Sequence, residues 1–393
     1  MKKVLEIMLV WLGGVVLMLG LLWCIGFGNT SKMNPLEMLL SLVLACFGAY
    51  VCYIMTVAVH EFGHLVAGKI SGYGFLNYRL FSINICKYED GFKIKRFGIP
   101  GTGGQCLMAP PEYNEGKYKY KLYLAGGNIA TFILMVVELS VAIIVGVDML
   151  PGRIGIVSAV IALYLLVLNG IPMKVSGVVN DSYNIINLGD NEELKKEFWD
   201  SLDINAKNHN GLEYSEMGID FDAIEDDKLL ENIEGISIQI KLAIKLNYLI
   251  CTKQFEEAYS LCKKLLGKKE VVELYKCEFR CDKMFLEIML GKEARVKKTY
   301  SESVKQYINK THKYMLQRMR LMYAYYLLIE KDEAKALEEK KCFEKISPRY
   351  PDLGEIKSES KLMEYIEALH IQRIEEAKKE MSPVSEEVTN MEV

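Results

Sequence analysis

The 393-residue chain has a net charge of only −3, but this near-neutral total hides two unlike halves. Up to Ile185, 14 Lys and Arg face 10 Asp and Glu within long apolar runs; beyond it 34 face 41, giving an acidic, soluble-looking half. The length allows two or three domains, nucleic acid is not an expected partner, and the ten cysteines lack the paired spacing of a zinc ribbon, so reduced thiols are expected.

Four stretches are long and apolar enough to cross a hydrocarbon core of about 30 Å, which takes roughly 20 helical residues. They run approximately over 4–28, 36–59, 121–147 and 153–172. The first begins Met-Lys-Lys, is too long for a signal core and has no small-residue cleavage site after it, so it reads as a retained anchor. Nine Lys and Arg lie between Lys69 and Lys121, whereas the loops at 29–35 and 148–153 hold one each, Lys32 and Arg153. Positive charge in short loops marks the cytoplasmic side, which puts both termini and the 69–121 segment in the cytoplasm. The expected location is a bacterial cell membrane.

The second stretch runs directly into His60-Glu61-Phe62-Gly63-His64. Residues four apart lie on one helix face, so His60 and His64 can offer two imidazole nitrogens to one ion with Glu61 beside them. A catalytic zinc site keeps three protein ligands and an open position for water. The metal acidifies that water and a carboxylate takes its proton, which is why this spacing suits hydrolysis of an unactivated amide.

Residues 78–97 alternate in the manner of a β-hairpin: Phe81, Ile83 and Ile85, a turn at Asp90-Gly91, then Phe92 and Ile94. Gly98 to Gly104 lacks the ending of a phosphate loop and reads as an irregular turn. In the third stretch Glu138 is an ionisable residue within a span, expected to make a structural pairing or to be protonated. Asn128 at its start is a candidate for substrate backbone, with helix packing through Gly126-Gly127 the competing role.

A third ligand must lie on the same side of the membrane as the histidines. That excludes Asp148 in the opposite loop, about a bilayer thickness away. Asp181, just past the fourth stretch, is nominated by topology, and Asp190 is the next candidate. Asn169 and Asn180 lie near it and are candidate substrate clamps.

His60-Glu61-Phe62-Gly63-His64 after an apolar run resembles the motif helix of the site-2 protease family of intramembrane metalloproteases. Asn169-Gly170-Ile171-Pro172 leading to Asn180-Asp181 resembles that family's Asn-Pro element and zinc-binding aspartate, and Ala125-Gly126-Gly127-Asn128 resembles the phrase opening the intervening span. The match covers roughly 36–190. The resemblance implies a Zn2+ held by His60, His64 and Asp181, with Glu61 as general base, in a site recessed into the cytosolic half of the bilayer. It also implies substrate helices unwound and offered as strands, for which the 78–97 hairpin is a candidate edge. The chain departs in the longer gap between Pro172 and Asp181 and in Ser182, where a glycine is usual.

From 229 to 372 helix-turn-helix phrases recur. Phe255-Glu256-Glu257-Ala258, Lys292-Glu293-Ala294 and Asp332-Glu333-Ala334 place alanines 36 and 40 apart, near the period of tetratricopeptide-type repeats. His209, His312 and His370 have no partners at ligand spacing.

The expectation is a mainly α, polytopic membrane protein. A transmembrane metalloprotease domain (1–190) with a membrane-associated hairpin is followed by a linker (191–228), a cytosolic helical-repeat domain (229–372) and a disordered tail (373–393). The function implied is cleavage of a peptide bond in or beside a spanning segment, with membrane-protein or peptide substrates, the lipid bilayer and a cytosolic protein as partners. The alternative is an inactive membrane-tethered scaffold that binds proteins through its repeats.

Overall fold

A computed structural model describes residues 20, 34–175, 178–221 and 223–381. The expected span at 4–28, Gly20 apart, and the tail beyond Met381 lie outside the described residues. The chain divides into two compact units, Met1–Ala206 and Lys207–Val393.

The first unit holds three helices long and apolar enough to cross a membrane: α1 (Pro35–Ile70), α2 (Tyr120–Val145) and α3 (Leu150–Gly170). Asn34 caps α1 through a reciprocal bond pair with Glu37, and Pro35 at the first position has no N–H to orphan. At 1.5 Å per residue, 36 residues rise about 54 Å, well beyond a hydrocarbon core. The apolar stretch ends near Val59 and the helix carries the His60–His64 motif beyond it, as expected, running on to Ile70, where Ser71 and left-handed Gly72 end it. Beyond the motif, buried Ala67 meets α2 at Gly126.

That packing is tight. A Cβ on Gly63 would lie 2.3 Å from the Gly126 carbonyl oxygen, and one on Gly126 would lie 2.5 Å from the Ala67 methyl. Small residues let two backbones meet where hydrocarbon gives no hydrophobic drive to pack helices. Between α2 and α3 the Ser158 hydroxyl donates to Glu138 at 2.5 Å, the structural pairing expected for that carboxyl.

Between α1 and α2 lies a four-stranded antiparallel sheet where a hairpin was expected. Its strands are β1 (Gly74–Leu80), β2 (Ile83–Tyr88), β3 (Gly91–Arg96) and β4 (Gly104–Ala109), in the order β3-β2-β1-β4. The turn expected at Asp90-Gly91 falls one residue earlier, at Glu89-Asp90, with Tyr88 paired to Gly91. The central strand β1 and the edge strand β4 were not legible, because Gly74, Asn77, Gly104 and Gln105 interrupt their apolar alternation. The Gly98–Gly103 stretch is irregular, as expected, and returns the chain to β4.

After α3 the chain forms a small hairpin, β5 (Lys174–Val175) with β6 (Val178–Val179), before α4 (Asp181–Leu188). Next, α5 (Glu192–His209) occupies half of the expected linker. Leu194, Phe198 and Leu202 recur every fourth residue on it and pack, with Trp199, against a core of Tyr118, Tyr120, Tyr123 and Leu188. A charged composition concealed that stripe.

The second unit is helical: α6 (Asp226–Glu231), α7 (Ile236–Cys251), α8 (Phe255–Gly267), α9 (Glu273–Met289), α10 (Glu293–Thr299), α11 (Glu302–Thr311), α12 (Leu316–Ala324), α13 (Glu333–Ile346) and α14 (Leu353–Met381). The three recurring phrases open α8, α10 and α13. Each follows a left-handed residue two positions before the helix, at Lys253, Gly291 and Lys331. Three helical hairpins thus share one turn. Residues 373–381, expected in a disordered tail, extend α14 because Glu375, Glu376, Lys378 and Lys379 are strong helix formers. None of the described cysteines is in a disulfide.

A polar layer runs between α9, α12 and α14. Arg318 bonds Glu278, and Arg320 bonds Glu359 at 2.5 Å and lies 3.8 Å over the Phe285 ring. Burial pushes Asp282 beside them up to about 6, and burial with the charge of Asp352 pushes Glu355 up to about 8. Both folded values exceed the unfolded ones, 3.8 and 4.5, so the folded chain binds the extra protons and stability is lost as pH rises through these windows. Raising the pH from 6 to 8 is expected to lower the protection of α14 amides, after correction for the intrinsic base-catalysed rate, by less than about tenfold per pH unit, the limit for one proton. Glu355→Gln should flatten that slope; an unchanged slope would refute the assignment.

Candidate metal centre

His60 and His64 project from one face of α1 toward Tyr123, Gly127 and Thr131 of α2, and Asp181 reaches them from the N-terminus of α4. The three form the one group of potential metal ligands among the described residues. His60 Nε2 is 3.3 Å from Asp181 Oδ2, His64 Nε2 is 3.4 Å from the same oxygen, and the two nitrogens are 3.3 Å apart.

The other ring nitrogens fix what these atoms are. His64 Nδ1 donates to the Tyr123 carbonyl at 2.9 Å, since a carbonyl can only accept. His60 Nδ1 lies 3.1 Å from Thr131 Oγ1, whose own hydroxyl proton goes to the Gly127 carbonyl at 2.9 Å, so His60 Nδ1 donates as well. In their neutral forms both imidazoles then turn lone pairs on Nε2 toward each other and toward a carboxylate oxygen, a set that a metal ion or a proton on one Nε2 would bridge. Zinc at 2.0–2.1 Å from N and O ligands in tetrahedral geometry separates its ligands by about 3.3 Å. The observed triangle has those edges, so the residues fit a zinc ion.

Glycine makes the room. A Cβ on Gly127 would sit 2.5 Å from His64 Nε2 and 2.6 Å from His60 Nε2, and one on Gly104 would sit 2.5 Å from Glu61 Cγ. The backbone of α2 thus walls the ligand atoms on one side, while β4 passes close against Glu61. Arg79 of β1 holds that approach by donating to the carbonyls of Phe81 and Gly104.

Asp181 owes its position to Asn180. The Asn180 amide donates at 2.6 Å to the carbonyls of both Leu168 and Ile171 at the end of α3. Its oxygen accepts from Met173 N at 3.2 Å and caps α4 through Tyr183 N at 2.9 Å. The extra residues between Pro172 and Asp181 are absorbed by the β5–β6 hairpin, whose ends Asn180 ties together. Asn180 therefore holds backbone, and its amide is not free to clamp substrate. Burial would raise the Asp181 carboxyl, but in the metal-free chain, where a proton rather than a metal sits at Nε2, hydrogen bonds and charge from the histidines outweigh this and hold it below the usual carboxylate range. Asp190, the other candidate, is exposed in the turn after α4 and outside the ligand group.

A cavity of about 500 Å³ opens on the triad. It is bordered by Glu61, by Gly103 to Cys106 at β4, by Asn169, and by Tyr53 and Leu165. Burial, with the Glu61 charge adding to it, pushes the Cys106 thiol up to about 12, so it stays protonated. Asn128 does not line the cavity; its amide donates to the Asn169 carbonyl at 3.3 Å and ties α2 to the end of α3. Asn169 keeps its place on the cavity wall.

The edge beside the cavity is β4, not the 78–97 hairpin. β4 pairs with β1 alone in the sheet, and β2 and β3 lie on the far side of β1. The Gly103 carbonyl faces β1, where it accepts from Phe81 N, so the Gly104 and Cys106 carbonyls face away. Sequence reading missed Thr131, Gly104 and Arg79; an i–4 glycine–threonine pair in the span facing the motif was the one available signal. No protein-family model, curated protein or solved structure matches this chain.

Proposed function

We propose that the chain is a zinc endopeptidase cleaving a peptide bond in or beside a membrane-spanning segment, as the resemblance to the site-2 protease family implies. The observation that carries this reading is the His60–His64–Asp181 triangle, with Glu61 at its side, on a helix long and apolar enough to span a bilayer. A zinc ion held there would polarise the scissile carbonyl and acidify water near neutral pH. Glu61 borders the same cavity without joining the triangle, which suits it to take a proton from water and deliver it to the leaving amine. An unwound substrate segment would add beside β4 as a strand by sharing or displacing the bonds that Arg79 and Tyr123 donate to the outward carbonyls of Gly104 and Cys106. Gly103, Gly104 and Asn169 border the same cavity.

Both termini and the cavity mouth are assigned to the cytoplasm by the positive charge between Lys69 and Lys121. The second unit, with its helical hairpins, is assigned the selection of a cytosolic partner or substrate, in the manner of helical arrays. No observation favours the inactive scaffold.

The test is made on full-length protein in detergent. About one zinc per chain is expected, along with cleavage of a model single-span substrate. Chelation should abolish cleavage and zinc should restore it. Cleavage that survives complete removal of the metal would overturn the reading.

A further inference from the structure

Resting on the metal reading above, we infer that Thr131 is a positioning residue for the metal, setting the tautomer and basicity of His60 through its hydroxyl. A ligating imidazole almost always donates its remote N–H to an acceptor, which fixes the ring and strengthens the metal-binding nitrogen. The two histidines meet this need differently. His64 uses the main-chain carbonyl of Tyr123 at 2.9 Å, which no side-chain substitution can delete. His60 uses Thr131 Oγ1 at 3.1 Å, so Thr131 is a side chain, open to substitution, through which ligand strength can be altered.

The hydroxyl has two states. With its proton on the Gly127 carbonyl at 2.9 Å, its oxygen is an acceptor and His60 must carry hydrogen on Nδ1, freeing Nε2 for a metal. Were it instead to donate to His60 Nδ1, the ring's hydrogen would sit on Nε2, pointing into the triangle and blocking coordination. The helix selects the first state, because the i–4 carbonyl of Gly127 lies in the usual reach of a helical threonine. Thr131 is completely buried, so no water replaces either bond. Gly127 thus contributes twice: its missing Cβ admits the ligand atoms, and its carbonyl orients the hydroxyl that orients His60.

The experiment titrates full-length protein in detergent with Zn2+ against a chromogenic chelator, comparing wild type with Thr131→Val, Thr131→Ala and Thr131→Ser. Loss of an outer-layer partner typically weakens metal binding 10–100-fold, so Val and Ala are expected to raise the zinc Kd by about that factor. Ser, which keeps the hydroxyl, should stay within about threefold of wild type on the same grounds. A protected His60 Nδ1–H resonance is expected in zinc-loaded wild type and Ser and not in Ala or Val, a signature that mere loss of packing would not produce. Ala carries the same contrast if Val does not fold. Zinc binding in Ala and Val within about twofold of wild type would overturn the role of Thr131 while leaving the zinc site standing. A wild-type chain that binds no zinc would instead overturn the metal reading itself.

Discussion

Glu61→Gln is expected to lower cleavage of a spanning substrate by about 10²–10⁴-fold, the range attributed to a positioned general base, with zinc still bound at wild-type stoichiometry. The second half of the expectation follows from geometry. The three atoms at 3.3–3.4 Å from one another belong to His60, His64 and Asp181, so the ligand set is complete without Glu61. The amide is nearly isosteric with the carboxylate, and the space for it is already fixed by Gly104. What the variant loses is the ability to accept a proton. Wild-type turnover by Glu61→Gln would remove Glu61 from the chemistry, and loss of zinc together with activity would place it among the ligands instead.

The parts of this site that could be read from the sequence are those whose chemistry needs fixed spacing on one element. His60 and His64 are legible because helical geometry alone sets residues four apart on one face. Asp181 lies 117 residues beyond His64, and only the constraint of a two-sided membrane reduced the choice to it and Asp190. The geometry then favours Asp181 because Asn180 ties the start of α4 to the end of α3, through bonds to Leu168 and Ile171 that no local pattern announces. The strands were hidden for a related reason. β1 buries polar Asn77 and Arg79, and β4 carries Gly104 where the chain passes Glu61 closely, so they break the alternation that betrayed β2 and β3. The apolar stretch gave no end for α1, because hydropathy reports where lipid stops, whereas the helix runs on through the motif to Ile70, before the backbone turns left-handed at Gly72. The helix within the supposed linker was concealed by Glu and Lys surrounding a stripe of Leu194, Phe198 and Leu202, which only tertiary packing makes visible.

The other large effect is expected from Asp181→Asn, which should weaken zinc binding by more than about 100-fold, beyond the range for outer-layer partners. An amide keeps the shape of the side chain and can still face Nε2 of both histidines. It removes the negative charge that, with two neutral imidazoles, completes the donor set of a catalytic zinc site. The fold around it should survive. Asn180, not Asp181, makes the bonds that cap α4 and close the β5–β6 hairpin, so those contacts are untouched by the substitution. Thermal unfolding of the metal-free chain should therefore change little, while the gain in stability on adding zinc, which grows with the ratio of metal concentration to Kd, should largely vanish. Zinc affinity equal to wild type in Asp181→Asn would exclude it as the third ligand and direct the same substitution to Asp190. Loss of stability in the metal-free chain would instead mark Asp181 as a residue that holds α4 in place, with the hydrogen bonds to His60 and His64 serving the fold rather than the metal.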